Sequence, residues 1–188
     1  MRDSTTSRTE SLFGPMPFTP LGSVLPEIAR SETRSLLRVE DGEVRRSYLF
    51  SESYCDEPGC DCRRVYFLVF SDEAGAAQPR ATLCWGWEPS EFYRTWARSP
   101  LDEGDLEELR GPALARLAQQ SAEASELLAE LRTLLANEAY AERIKRHYHA
   151  FRAVVDVTGT RTNNLDVEAP ASNRADRRRE RALRGRRR

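Results

Sequence analysis

Through the first half of the chain, apolar residues fall in short blocks or alternate with polar ones; in the second half they recur every three to four positions. The blocks SLLRV and VRRSYLF flank Asp41-Gly42, a pair able to adopt the positive φ angles of a two-residue turn, and so predict a hairpin. RRVYFLVF is β-branched and aromatic, ends at the loop-like SDEAGAAQP, and is followed by ATLCWGW as a further strand. These runs predict an antiparallel sheet of about three to five strands.

Ahead of them, SVLPEIARSETR places Val24, Leu25, Ile28 and Ala29 at helical spacing. Ser23 can cap that helix and Pro26 suits its first turn.

After Ser90 the period lengthens. SEFYRTWARS predicts a short helix through Phe92, Tyr93 and Trp96. SAEASELLAELRTLLANE gathers Leu127, Leu128, Leu131, Leu134 and Leu135 on one face, with Ser121, Glu123 and Glu126 at its acidic start. EAYAERIKRHYHAFRAVV repeats the pattern through Tyr140, Ile144, Tyr148, Phe151 and Val155, and Gly159 marks the expected end. Strands first and helices second predict an α+β fold, a small antiparallel sheet packed against a C-terminal helical pair. The expected division is a flexible segment over 1–21, one domain over 22–156 and a flexible Arg-rich tail over 157–188.

Charge sharpens that division. The net charge of −1 hides nine arginines between Arg174 and Arg188, accompanied there only by Asp176 and Glu180, so the tail is basic and the body acidic. The tail could meet nucleic-acid phosphates or screen the acidic body. No run of about 18 apolar residues predicts a membrane span, and positions 1–33 lack the pattern of a secretory signal, so the expected location is cytoplasmic.

The candidate chemistry sits in ESYCDEPGCDCRRV, which places Cys55, Cys60 and Cys62 around Pro58-Gly59. A disulfide fits poorly with reduced cytoplasmic thiols, and Cys60 and Cys62 are too close for an unstrained bridge. Buried reduced cysteines are an alternative, but Pro-Gly and two aspartates are poor company for an apolar core. Zinc fits better, because thiolates bind it tetrahedrally at about 2.3 Å and a tight turn can bring sequence neighbours to one ion.

A closed structural site needs a fourth ligand. At about 100° per residue, His147 falls near the Ile144–Phe151 stripe whereas His149 points toward solvent. His147 is therefore the expected ligand, with Cys84 the alternative. A fourth position left to water would suggest catalytic zinc instead.

Three further blocks accompany the cysteines. WGWE, FYRTW and YAERIKRHYHAFR, together with YCDEPGCDCRRV, resemble a group of small bacterial proteins that carry a Tyr-Cys…Pro…Cys-Asp-Cys motif, a Gly-Trp-Glu motif and a late His-Tyr pair. The resemblance spans roughly residues 22–155 and rests on Cys55, Cys60, Cys62, Gly86, Trp87, Glu88, His147 and Tyr148. It implies a shared site but names no reaction. Some members end in a SEC-C zinc segment linked to protein contacts; NRADRRRERALRGRRR stands in its place here.

Trp85, Trp87, Tyr93 and Trp96 could form a stacking surface, although a strand and helix sharing one core explains them as well. Glu88 could shuttle protons near a metal or simply close a turn before Pro89. No Gly-rich phosphate loop, H-E-x-x-H helix, G-x-S-x-G elbow or deaminase signature is present. The sequence therefore predicts a zinc-stabilised binding or adaptor domain with structural zinc and an unknown protein partner. A nucleic-acid binder acting through its tail, or a zinc enzyme, are the alternatives.

Overall fold

The computed structural model describes residues 18–73, 78–97 and 100–167, with side chains as far as Val157. The elements run β1 (Phe18–Pro20), α1 (Leu21–Val24), α2 (Pro26–Glu32), β2 (Arg34–Glu40), β3 (Glu43–Cys55), β4 (Arg64–Ser71), β5 (Ala81–Gly86), α3 (Ser90–Trp96), α4 (Glu103–Arg110), β6 (Ala113–Leu114), α5 (Ala124–Leu135) and α6 (Glu138–Val167). The Arg-rich stretch Arg174–Arg188, and any nucleic-acid contact through it, lies outside the described residues.

All pairings in the six-stranded sheet are antiparallel, in the order β1-β3-β4-β5-β6, with β2 also paired to β3. β3 is long enough to serve two partners, giving Glu43–Phe50 to β2 and Ser53–Cys55 to β1. Asp41 and Gly42 both have positive φ, so the β2–β3 turn forms as its residues dictate. Alternation then sends Tyr48, Phe50 and Tyr54 of β3, Val65, Phe67 and Val69 of β4, and Ala81 and Leu83 of β5 to one face. That face packs on Leu127, Leu128 and Leu131 of α5 and on Tyr140, Ile144, Tyr148 and Phe151 of α6. The architecture is thus the expected α+β arrangement. Among the described residues, no helix is long and apolar enough to cross a membrane.

Three details differ from the sequence reading. Pro26 does not sit inside one helix but opens a second, α2, at its first position, where its missing N–H costs no hydrogen bond. Residues 18–21 belong to the domain, because Phe18, Thr19 and Pro20 pair with Cys55, Tyr54 and Ser53, and Leu21 is buried in the core. At the other end α6 passes through Gly159 to Val167. An interior glycine costs only about 1 kcal/mol against alanine and does not by itself end a helix.

Gly86, at the end of β5, marks a close approach of the β5 backbone to α3 and α4. A Cβ there would stand 2.1 Å from the Tyr93 hydroxyl and 2.4 Å from the Leu109 carbonyl oxygen. Tyr93 is buried and its hydroxyl donates to the Arg63 carbonyl, so it cannot retreat without releasing the β4 entry. Gly86→Ala is expected to destabilise the domain by about 2 kcal/mol or more, the scale of overpacking, as a lower urea midpoint with unchanged slope.

Candidate metal centre

Strand β3 delivers Cys55 at its last position, and the chain must reverse before β4 begins at Arg64. Gly59 takes φ +73, and the Cys60 amide donates to the Glu57 carbonyl at 3.1 Å, so Pro58-Gly59 forms a tight turn back toward Cys55. Arg63 then adopts φ +48, a conformation that L side chains rarely take. Four contacts hold it. Its guanidinium grips both Asp61 oxygens and Glu88 Oε1, its amide donates to the Tyr148 hydroxyl, and its carbonyl accepts from Tyr93. The strained residue immediately follows Cys62, so these contacts fix that thiol's position.

The Sγ atoms of Cys55, Cys60 and Cys62 all lie within 4.8 Å of one another. Three sulfurs so close can hold a metal ion. Cys55 and Cys62 are buried, whereas Cys60 is partly exposed. The Cys62 thiol donates toward Cys55, and with the Glu57 amide, Cys60 and the Arg152 charge this outweighs burial and lowers the Cys55 pKa to about 6. Burial and the Cys55 charge raise Cys60 to about 11, and its hydrogen bond to Cys55 raises Cys62.

Helix α6 clamps the loop along one face. Tyr148, Arg152 and Asp156 follow one another at i, i+4 and i+8. The Tyr148 hydroxyl donates to Asp61 Oδ1, Arg152 donates to the Cys55 carbonyl at 2.8 Å, and Asp156 accepts the Gly59 amide at 2.9 Å while pairing with Arg152.

His147, expected as the fourth ligand, is not part of that face. One position before Tyr148, it is rotated about 100° around the helix and enters the gap between β3 and α2. Its Nδ1 lies 2.8 Å from Glu52 Oε2 and its Nε2 3.2 Å from Glu32 Oε2, so both ring nitrogens are engaged by carboxylates. Glu52 is buried, and the Tyr54 hydroxyl also donates to its Oε2 at 2.6 Å. Burial opposes a charge on His147, but the hydrogen bonds and charges of Glu52 and Glu32 prevail and raise its pKa. The His147 hydrogen bond, helped by Arg146, lowers that of Glu32.

Cys84 does not complete the site either. Its Sγ lies 3.2 Å from the Glu108 carbonyl and 3.5 Å from that of Ala113, in a small cluster with Tyr66 and Ala115, and burial raises its pKa to about 11. His149 is exposed on α6, against the ring of Tyr148. Glu88 is bound to Arg63 rather than standing free beside the sulfurs.

One participant has no signal in the spacing of the motif. Arg64 is only 6% exposed; its side chain meets the Tyr66 hydroxyl, the Glu108 carbonyl and the Cys84 thiol, while its Nε has no partner. It forms no ion pair among the described residues, and its charge acts first on Tyr66 and Cys84 and less strongly on Cys62. A buried guanidinium without an anion is costly. Three thiolates around a divalent ion would carry a net charge of −1, opposite in sign to that of Arg64.

Compared with models of known protein families, with curated proteins and with solved structures, the chain matches none.

Proposed function

We propose that this chain is a zinc-stabilised binding module. In this reading Cys55, Cys60 and Cys62 hold the ion, and zinc closes the β3–β4 turn that Tyr148, Arg152 and Asp156 hold against α6. The observation that carries it is the mutual approach of the three sulfurs within 4.8 Å. Zinc is the metal best suited to a small thiolate site in a reducing compartment, since it has no redox chemistry and accepts sulfur tetrahedrally. The buried Arg64, whose Nε has no partner, supports an anionic occupant.

The chain's own residues bind the ion, orient Cys62 through the Arg63 contacts, and lock the loop to α6 through Arg152 and Asp156. Asp61 and Glu88 are tied to Arg63 rather than poised as a free acid or base at the sulfurs. A structural ion beside a binding surface therefore fits better than a hydrolytic centre. That surface is the cleft of about 630 Å³ beside Cys60, walled by Pro58, Trp96, Leu101 and Leu109.

Elemental analysis of the full chain purified under reducing conditions tests the reading, and about one zinc per chain is expected. Arg64→Met should weaken zinc about tenfold or more in competition with a chromophoric chelator, because the site loses its counter-charge. Protein that purifies without metal and fails to take up added zinc would reject the proposal.

A further inference from the structure

The chain contains four cysteines and two histidines, and all six fall within the described residues. Three cysteines form the cluster; Cys84 and His147 are committed elsewhere. Two of the nearby carboxylates are also engaged, Asp61 by Arg63 and Tyr148, Asp56 by the Thr19 hydroxyl. A tetrahedral ion on these three sulfurs has one direction left for a ligand. Of the three cysteines, Cys60 alone is both partly exposed and part of the cleft wall.

We propose that the ion's fourth position faces this cleft and takes a neutral imidazole from outside the chain, the side chain of a histidine on a partner. This rests on the zinc reading above. Charge selects the donor. The trithiolate ion would carry −1 with the Arg64 charge in reach of Cys62, so a thiolate or carboxylate would add a second negative charge beside buried groups. Glu57 and Asp61 at the cleft also disfavour an arriving anion. Imidazole adds no charge, is a good zinc donor, and has a flat apolar body that suits the walls of Trp96, Leu101 and Leu109.

Two donors of this chain compete for the role. His149 is an exposed imidazole close enough for its charge to act on Asp61, and Glu57 is an exposed carboxylate on the cleft. The experiment must separate them from an outside ligand.

Cobalt(II) substituted into the full chain provides the readout. Thiolate-to-cobalt charge-transfer bands report the three sulfurs, and the visible d–d bands report the fourth ligand. Added imidazole is expected to shift the d–d bands saturably, with the charge-transfer bands retained, while azide at the same concentration does not. Leu101→Trp, which fills the cleft, should abolish the response and keep the charge-transfer bands, showing that the cluster still forms. A His149→Ala/Glu57→Gln double variant should match the unsubstituted protein before and after imidazole. Charge-transfer bands with no response to imidazole, an equal response to azide, or a persistent response in Leu101→Trp would overturn the inference and leave the metal site standing. A double variant whose d–d bands differ before imidazole is added would also overturn it, by assigning the fourth ligand to the chain itself. Absence of any thiolate-to-cobalt bands would instead reject the metal site.

Discussion

Cys62→Ser is expected to purify without zinc and to melt about 10 °C below the unsubstituted chain, the largest loss foreseen for a single atom exchange in this protein. A ligand that binds only the folded state stabilises it by about 4 kcal/mol when its concentration is a thousandfold above the dissociation constant. For a domain of this size each kcal/mol moves the melting temperature by about 2–4 °C. Cys62 is the sensitive choice because it is buried and its position is fixed by the clamped Arg63. A serine hydroxyl is not ionised at neutral pH and cannot replace a thiolate, and two sulfurs hold zinc poorly.

A chelator provides the internal control, lowering the melting temperature of the unsubstituted chain to that of Cys62→Ser and leaving the variant unmoved. Cys84→Ser should keep its zinc, since its sulfur faces the Glu108 and Ala113 carbonyls. Equal melting temperatures for Cys62→Ser and the metal-loaded parent would refute the role given to the ion.

The cluster was legible in the sequence because its members are near neighbours. Eight residues and a Pro-Gly turn leave three thiols little room to diverge, so spacing alone carries the geometry. The core was legible for a similar reason, as the period of two in β3–β5 and the leucine stripe of α5 each fix a buried face. What the sequence left hidden depends on rotation and on distance along the chain.

His147 and Tyr148 differ by one position, yet one faces carboxylates of β3 and α2 and the other faces the cysteine loop. A wheel drawn from Ile144 and Phe151 marks both as inward and cannot say which inward neighbour each meets. Glu52 and Glu32 gave no warning either, since a carboxylate in a strand or at a helix end reads as solvent-facing until its partner, about a hundred residues later, is placed beside it. Arg64 opens an apolar strand and reads as the strand's polar end, although it is buried. β1 and β6, of three and two residues, are too short for any alternation to show.

The histidine held between Glu52 and Glu32 supports the second large prediction. Glu52→Leu removes the acceptor shared by His147 Nδ1 and the Tyr54 hydroxyl, leaving both buried with one partner fewer. Breaking a buried pair from one side costs about 3–5 kcal/mol, because the remaining polar group keeps its desolvation penalty. Replacing both partners by apolar residues removes that penalty, so Glu52→Leu/His147→Leu should be less destabilised than Glu52→Leu alone.

The pH dependence identifies the interaction as ionic. His147 has its pKa raised above 6.5, so its contribution is complete below that value and is lost as pH climbs through the folded-state pKa. Glu32 has its pKa lowered from 4.5, so its contribution is present above that value and is lost as pH falls through the folded-state pKa. Together they stabilise most between about pH 4.5 and 6.5. Urea titrations across pH 4–9 should show the parent losing stability above that window relative to the double variant. A double variant with the parent's pH profile would show that the charge on His147 does not support the fold, and that Glu52 acts only by filling space between β3 and α6.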